Sequence, residues 1–262
     1  VPSRRARSKL GPTIEGRRAV LEALRAGTEI RRILLAEGTE RGPQVEEIVE
    51  RARASGLAVE PVDRRELDRS SHTRHHQGVV AVTPDVRYAT IDEVLAIAKE
   101  RGEQPLVVVL DGIEDPHNLG AIVRTVDCAG GHGVVVPERR AVGVTPGVVR
   151  ASAGATEHVK VARVTNLARA IDDLKAAGLW VVGLDSSGER TCWDADFTRA
   201  VALVVGSEGE GLSRLVRERC DFLVKLPVLG RIESLNASVA AAVALYEAVR
   251  QRRVSPAASS PV

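Results

Sequence analysis

Residues 225–253, KLPVLGRIESLNASVAAAVALYEAVRQRR, decide the fold. A short apolar strand passes through a turn holding Gly230 into a helix that is apolar on almost every side from Ala237 to Val249. Such a helix requires burial on more than one face. Ser234, Asn236 and Ser238 crowd its start, where unpaired N–H groups and the positive end of the helix dipole favour a polar ligand. The same side chains suit an ordinary N-cap, and both readings stay open at this point.

Upstream, residues 105–110 (PLVVVL) form a continuous apolar run, the mark of a strand buried on both faces. Helices follow at 119–129, 167–177 and 212–219, and strands at 133–136, 179–184, 201–205 and 222–226. This alternation predicts an α/β domain over 105–253 with a mainly parallel sheet and helices on both faces. Ligands in such sheets bind beyond the carboxyl ends of the strands. Three strand ends carry unusual loops: DGIEDPHNLG after Leu110, GSEGEG after Val205 and PVLGRIESLN after Leu226.

Residues 12–84 read as a separate, small α/β unit, with a helix at 14–26 stopped by Gly27, strands at 31–36, 57–62 and 78–82, a helix at 43–54 and a brief helical piece at 64–67. The segment RSSHTRHHQG (69–78) holds His72, His75 and His76. No acid or thiol stands beside them and the spacing matches no helix face, so we expect a polar loop touching phosphates or the partner domain, with no metal. Pro84 closes the unit. A capping box from Thr90 to Glu93 then opens a helix to Arg101, and residues 85–104 read as linker and helix.

With 37 basic and 35 acidic residues the overall field says nothing about partners. Residues 1–9, VPSRRARSK, carry four cations and no acid, so 1–11 are expected to be a disordered basic arm and 254–262 a disordered tail. Cys128, Cys192 and Cys220 lie too far apart for a disulfide framework or zinc site, which implies a reducing compartment. No run of about 18 apolar residues and no signal-like segment is present, and the expected location is the cytoplasm. Aromatics at 2% exclude a base-stacking platform, leaving arginine and backbone groups for any RNA contact.

Taken together, DPHNLGAIVRT, VVGSEGEGL and LPVLGRIESLNASVA resemble the three motifs of the SpoU (TrmH) branch of the SPOUT RNA methyltransferases. The front unit with its HHQG segment resembles the substrate-binding domain of the RlmB-type subgroup, which methylates a guanosine ribose of large-subunit ribosomal RNA. The resemblance implies S-adenosylmethionine as cofactor, a deep trefoil knot in the catalytic domain and a homodimer through that domain. It also implies catalytic roles for Asn118, Arg124, Glu208, Ser234 and Asn236, with cofactor held by main-chain groups at Gly206, Leu226 and Leu235. Family members cast the residue matching Arg124 as the base. A guanidinium is essentially always protonated, so we expect Arg124 to grip a phosphate that itself, or through water, takes the proton.

Besides Ser234, whose N-cap alternative stands above, three of these residues keep a second reading. Asn118 also suits a helix cap, Asn236 an N-cap, and Glu208 an orienting or arginine-neutralising carboxylate. Transfer RNA is the alternative substrate, and a silent RNA-binding or ribosome-assembly module the alternative function. A nucleotide-loop reading of GSEGEG fails, because G-x-x-G-x-G is not the dinucleotide fingerprint.

Overall fold

The computed structural model describes residues 13–71, 75–84, 86–232 and 234–254. The basic arm at 1–11, the tail beyond Val254 and His72 lie outside them. The chain divides into two compact units, one ending at Arg87 and one beginning at Tyr88.

The first unit runs β1 (Thr13–Glu15), α1 (Arg17–Arg25), β2 (Arg32–Ala36), α2 (Pro43–Ala54), β3 (Ala58–Val62), α3 (Arg64–Ser70) and β4 (Val79–Val82). Its sheet has the order β1-β4-β2-β3, with β2 and β3 parallel and β4 antiparallel to both neighbours. Successive strand residues face opposite sides. Ile33, Val79 and Ala81 therefore pack with α1 and α2, whereas Leu34, Val80 and Val82 pack with Leu67 of α3.

Two expectations change here. The helix expected from residue 14 begins only at Arg17, because Ile14 pairs with Ala81 in β1 and Gly16 turns the chain at φ 99°, which a side chain would oppose. The histidine segment is not simply a polar loop with no acid beside it. His76 is buried, with Nδ1 accepting the Gly78 N–H and Nε2 2.8 Å from Asp68.

The second unit runs α4 (Ile91–Arg101), β5 (Leu106–Asp111), α5 (Pro116–Cys128), β6 (Gly133–Pro137), α6 (Pro146–Ala151), β7 (Val161–Val164), α7 (Leu167–Ala176), β8 (Trp180–Leu184), β9 (Arg190–Thr191), β10 (Val201–Gly206), α8 (Arg214–Arg219), β11 (Phe222–Lys225) and α9 (Ala237–Val254). The seven strands are parallel throughout, in the order β7-β6-β5-β10-β8-β11-β9. One face of the sheet packs against α5, α6 and α9 around Leu110, Leu119, Ile122 and Leu245. The other packs against α4, α7 and α8 around Val109, Ile171, Leu174 and Val216. Covering both faces explains the unbroken apolar runs of β5 and β10.

α6 and β7 were not expected from sequence. Six helical residues and a four-residue edge strand are too short to impose a readable period. At the far end, α9 is clasped by Arg252, whose guanidinium donates to the carbonyls of Gln104, Pro105, Phe197 and Arg199. Nearby, the buried His132 accepts the Leu106 N–H on Nδ1, and its Nε2 lies 3.0 Å from Glu103.

Candidate active site

The parallel sheet brings the loops after β5, β8, β10 and β11 to one edge. The loop after β10 folds back tightly, with Ser207 and Gly211 exchanging N–H···O bonds of 3.1 and 3.0 Å. A Cβ on Gly206 would stand 2.2 Å from the Gly211 carbonyl carbon, so this position tolerates no side chain. Two bonds tie the loop to its surroundings: the Ser213 N–H donates to Asp111 at 2.7 Å, and Glu208 reaches out to both other motif loops.

Glu208 Oε1 is the centre of the arrangement. It accepts from Asn118 Nδ2 at 2.7 Å, from Asn236 Nδ2 by a short bond, and from the Ala237 N–H at 3.4 Å. Asn236 Nδ2 also donates to Asn118 Oδ1 at 3.0 Å. Three side chains from three distant stretches thus close on one another at the start of α9. Asn236 is also the helix cap, because its Oδ1 accepts from the Ser238 and Val239 N–H groups. Asn118, by contrast, does not cap α5; Asp115 does, by accepting the His117 N–H, with Pro116 in the first turn. Among the described residues Glu208 pairs with no arginine.

Beside this cluster lies a cavity of about 340 Å³. Gly206, Glu208, Leu226, Ser234 and Leu235 line it, so five of the eight residues singled out from sequence share one wall. Asn118 and Asn236 join through Glu208. Arg124 stands apart on the exposed side of α5, two turns beyond Asn118, and hydrogen-bonds to no described residue.

Another part of the lining was not anticipated. It comes from the loop after β8, where Leu184, Asp185 and Ser186 meet Arg217 of α8. Arg217 Nη2 lies 3.0 Å from Asp185 Oδ2, and Asp185 Oδ1 accepts from the N–H and hydroxyl of Ser187. Burial pushes the Asp185 carboxyl up, but the Ser187 and Arg217 bonds outweigh it and hold the group below the usual carboxylate range. Cys220 of the same region is pushed up to about 12 by burial and is an inert thiol. A DSS triplet after the strand at 179–184 reads as a plain turn, and Arg217 as a solvated helix charge. The one signal is the position of Asp185 at the end of that strand; Arg217 on α8 carries none.

Residues 105–246 match the SpoU rRNA Methylase family, and residues 13–89 match the RNA 2′-O ribose methyltransferase substrate-binding family. A Bacillus subtilis protein named as a TrmH family tRNA/rRNA methyltransferase, YacO, is 48% identical over 237 residues, covering 90% of this chain and 94% of that protein. Among solved structures, the SpoU methyltransferase AviRb from Streptomyces viridochromogenes in complex with AdoMet superposes with a TM-score of 0.60 at 31% identity, covering 92% of this chain and 90% of that one. An AdoMet-bound rRNA methyltransferase from Sinorhizobium meliloti gives a TM-score of 0.57 at 29% identity, covering 91% and 86%.

Proposed function

Because this chain belongs to the SpoU family of RNA 2′-O-ribose methyltransferases, we propose that it methylates a guanosine ribose of large-subunit ribosomal RNA, using S-adenosylmethionine, as an RlmB-type cytoplasmic homodimer. The observation that carries the reading is the convergence of Asn118, Glu208 and Asn236 beside the cavity. The cavity suits the cofactor. Its apolar wall of Leu226 and Leu235 accepts a planar base, and the bare backbone at Gly206 permits close approach of main-chain donors and acceptors.

When bound, S-adenosylmethionine supplies an activated methyl group from its sulfonium. The chain has to orient the ribose 2′-hydroxyl and assist its deprotonation. Glu208 holds both asparagine amides by their N–H groups, which fixes Asn236 at the cap of α9 and turns Asn118 towards it. Ser234, exposed on the cavity wall, is free to orient the hydroxyl or the cofactor carboxylate. Arg124, exposed and unpaired among the described residues, is placed to fork onto an RNA phosphate, which or a water beside it accepts the proton.

The homodimer is supported by apolar surface at the same end of the unit: Leu229 is 97% exposed and Ile232 77%, with Val239 and Tyr246 of α9 half-exposed. A deep trefoil knot in the last part of the catalytic domain belongs to the same reading. The SpoU rRNA Methylase match of the second unit supports ribosomal RNA, while the tRNA/rRNA name of the Bacillus relative keeps transfer RNA as the second reading.

Mapping ribose methylation on ribosomal and transfer RNA after incubation with labelled cofactor tests this. We expect label on a guanosine ribose of large-subunit RNA. Label confined to transfer RNA would establish the second reading, and no transfer to either would leave a binding module.

A further inference from the structure

The structure assigns residues 139–150 a role of their own: with Arg163 they form a cationic track, separate from the first unit, that seats the phosphate backbone of the RNA strand entering the site. The inference rests on the RNA methyltransferase reading. The segment, RRAVGVTPGVVR, carries Arg139, Arg140 and Arg150; Glu138 directly precedes it, and no further acidic residue occurs before Glu157.

Position comes first. The segment follows β6 and so emerges on the same carboxyl edge of the sheet as the three motif loops. It is strapped to the loop that opens α5: the Val142 N–H donates to Ile113 at 2.9 Å, and Gly147 lies against Pro116. Gly120 of α5 meets α6 so closely that a Cβ there would stand 2.4 Å from that of Ala151. Arg124 lies one turn beyond Gly120 on the same helix face. The segment therefore lies beside α5, the helix that carries both Arg124 and Asn118. On its other side the Val144 N–H donates to the Tyr88 hydroxyl, and the Arg163 guanidinium stands 5.0 Å over the Tyr88 ring, adding a fourth cation.

Charge state comes second. Elsewhere in this unit five arginines are ion-paired: Arg199 with Asp196, Arg214 with Glu218, Arg217 with Asp185, Arg219 with Asp172 and Arg250 with Glu247. Arg139, Arg140 and Arg150 are exposed, and no hydrogen bond or ion pair to a described residue engages their side chains. Arg140 stands at φ 55°, a conformation uncommon for a non-glycine residue. Exposed, unpaired arginines on a backbone fixed by hydrogen bonds are what phosphate recognition requires, and the protein supplies them few base-stacking aromatics.

The test uses the full chain with Arg139→Gln, Arg140→Gln and Arg150→Gln combined, and a second variant with lysine at all three positions. Binding of a labelled polyuridylate oligonucleotide and of transcribed large-subunit ribosomal RNA is measured across salt, with cofactor binding by calorimetry as the control for an intact site. We expect the glutamine variant to bind RNA on the order of tenfold or more weaker, and its log–log salt slope to fall by about 2, as loss of three single-strand phosphate contacts entails. Cofactor affinity stays at the parent value, and the lysine variant keeps most of the slope. A parent that binds RNA while the glutamine variant matches it in affinity and slope overturns the track alone. A parent that binds neither RNA at low salt overturns the methyltransferase reading beneath it.

Discussion

Glu208 offers the sharpest choice at the scale of single residues. One oxygen takes all three bonds, and a glutamine keeps that oxygen while removing the charge. As an orienting group, Glu208→Gln should keep single-turnover methylation within about tenfold, whereas Glu208→Ala leaves two amides without their acceptor and should lose on the order of a hundredfold. Equal losses in both variants would identify Glu208 as the proton acceptor. Arg124 divides in the same way. Lysine keeps the charge but not the planar fork, so Arg124→Lys should bind cofactor normally and RNA only slightly more weakly, yet lose on the order of a hundredfold in single-turnover rate. A near-parent rate with a pH profile shifted down would make Arg124 the base. At this scale the polar side chains before the last helix drew attention to Ser234 and Asn236, whereas Gly206 and Glu208 entered only through the resemblance of their motif. The sequence hid Asp185 and Arg217, because a carboxylate in a turn and an arginine on a helix look solvated until the fold sets them 3.0 Å apart.

Among the elements, α9 has its site at one end and its anchor at the other. Arg252 satisfies four carbonyls, two beside the start of β5 and two preceding β10. Arg252→Ala should cost about 2–3 kcal/mol in urea unfolding, the range for losing hydrogen bonds to a charged group. A change below about 0.5 kcal/mol, the usual effect of a plain surface substitution, would mean that packing alone holds the helix. The α/β alternation was legible because β5, β8 and β10 are apolar on both faces. The stretch between β6 and α7 was not, since α6 and β7 owe their form to Gly120 and to the β6 edge rather than to any local period.

For the whole molecule, the two units have separate cores, so removing residues 1–87 should leave cofactor affinity within about threefold while RNA methylation collapses. A folded second unit unable to bind cofactor in calorimetry would refute that division. Stability should also follow pH through His132. Burial lowers its pKa from the ordinary 6.5, with Glu103 opposing, so the unfolded chain binds the proton more readily. The contribution is complete above that ordinary value and declines as pH falls below it, by no more than about 1.4 kcal/mol per pH unit. His132→Gln should flatten the decline between neutral and mildly acid pH; an unchanged slope would place it elsewhere. The closure of Asn118 on Asn236 also has a bearing on time. These partners are 118 positions apart, and the polypeptide is made from its N-terminus. A nascent chain that has emerged only through GSEGEG already owns two of the three motif loops, yet it has neither the cap of α9 nor the Leu235 side of the cavity. With the cofactor seated in that cavity as proposed, its capture waits for the last helix to leave the ribosome, and an unfinished copy stays chemically idle.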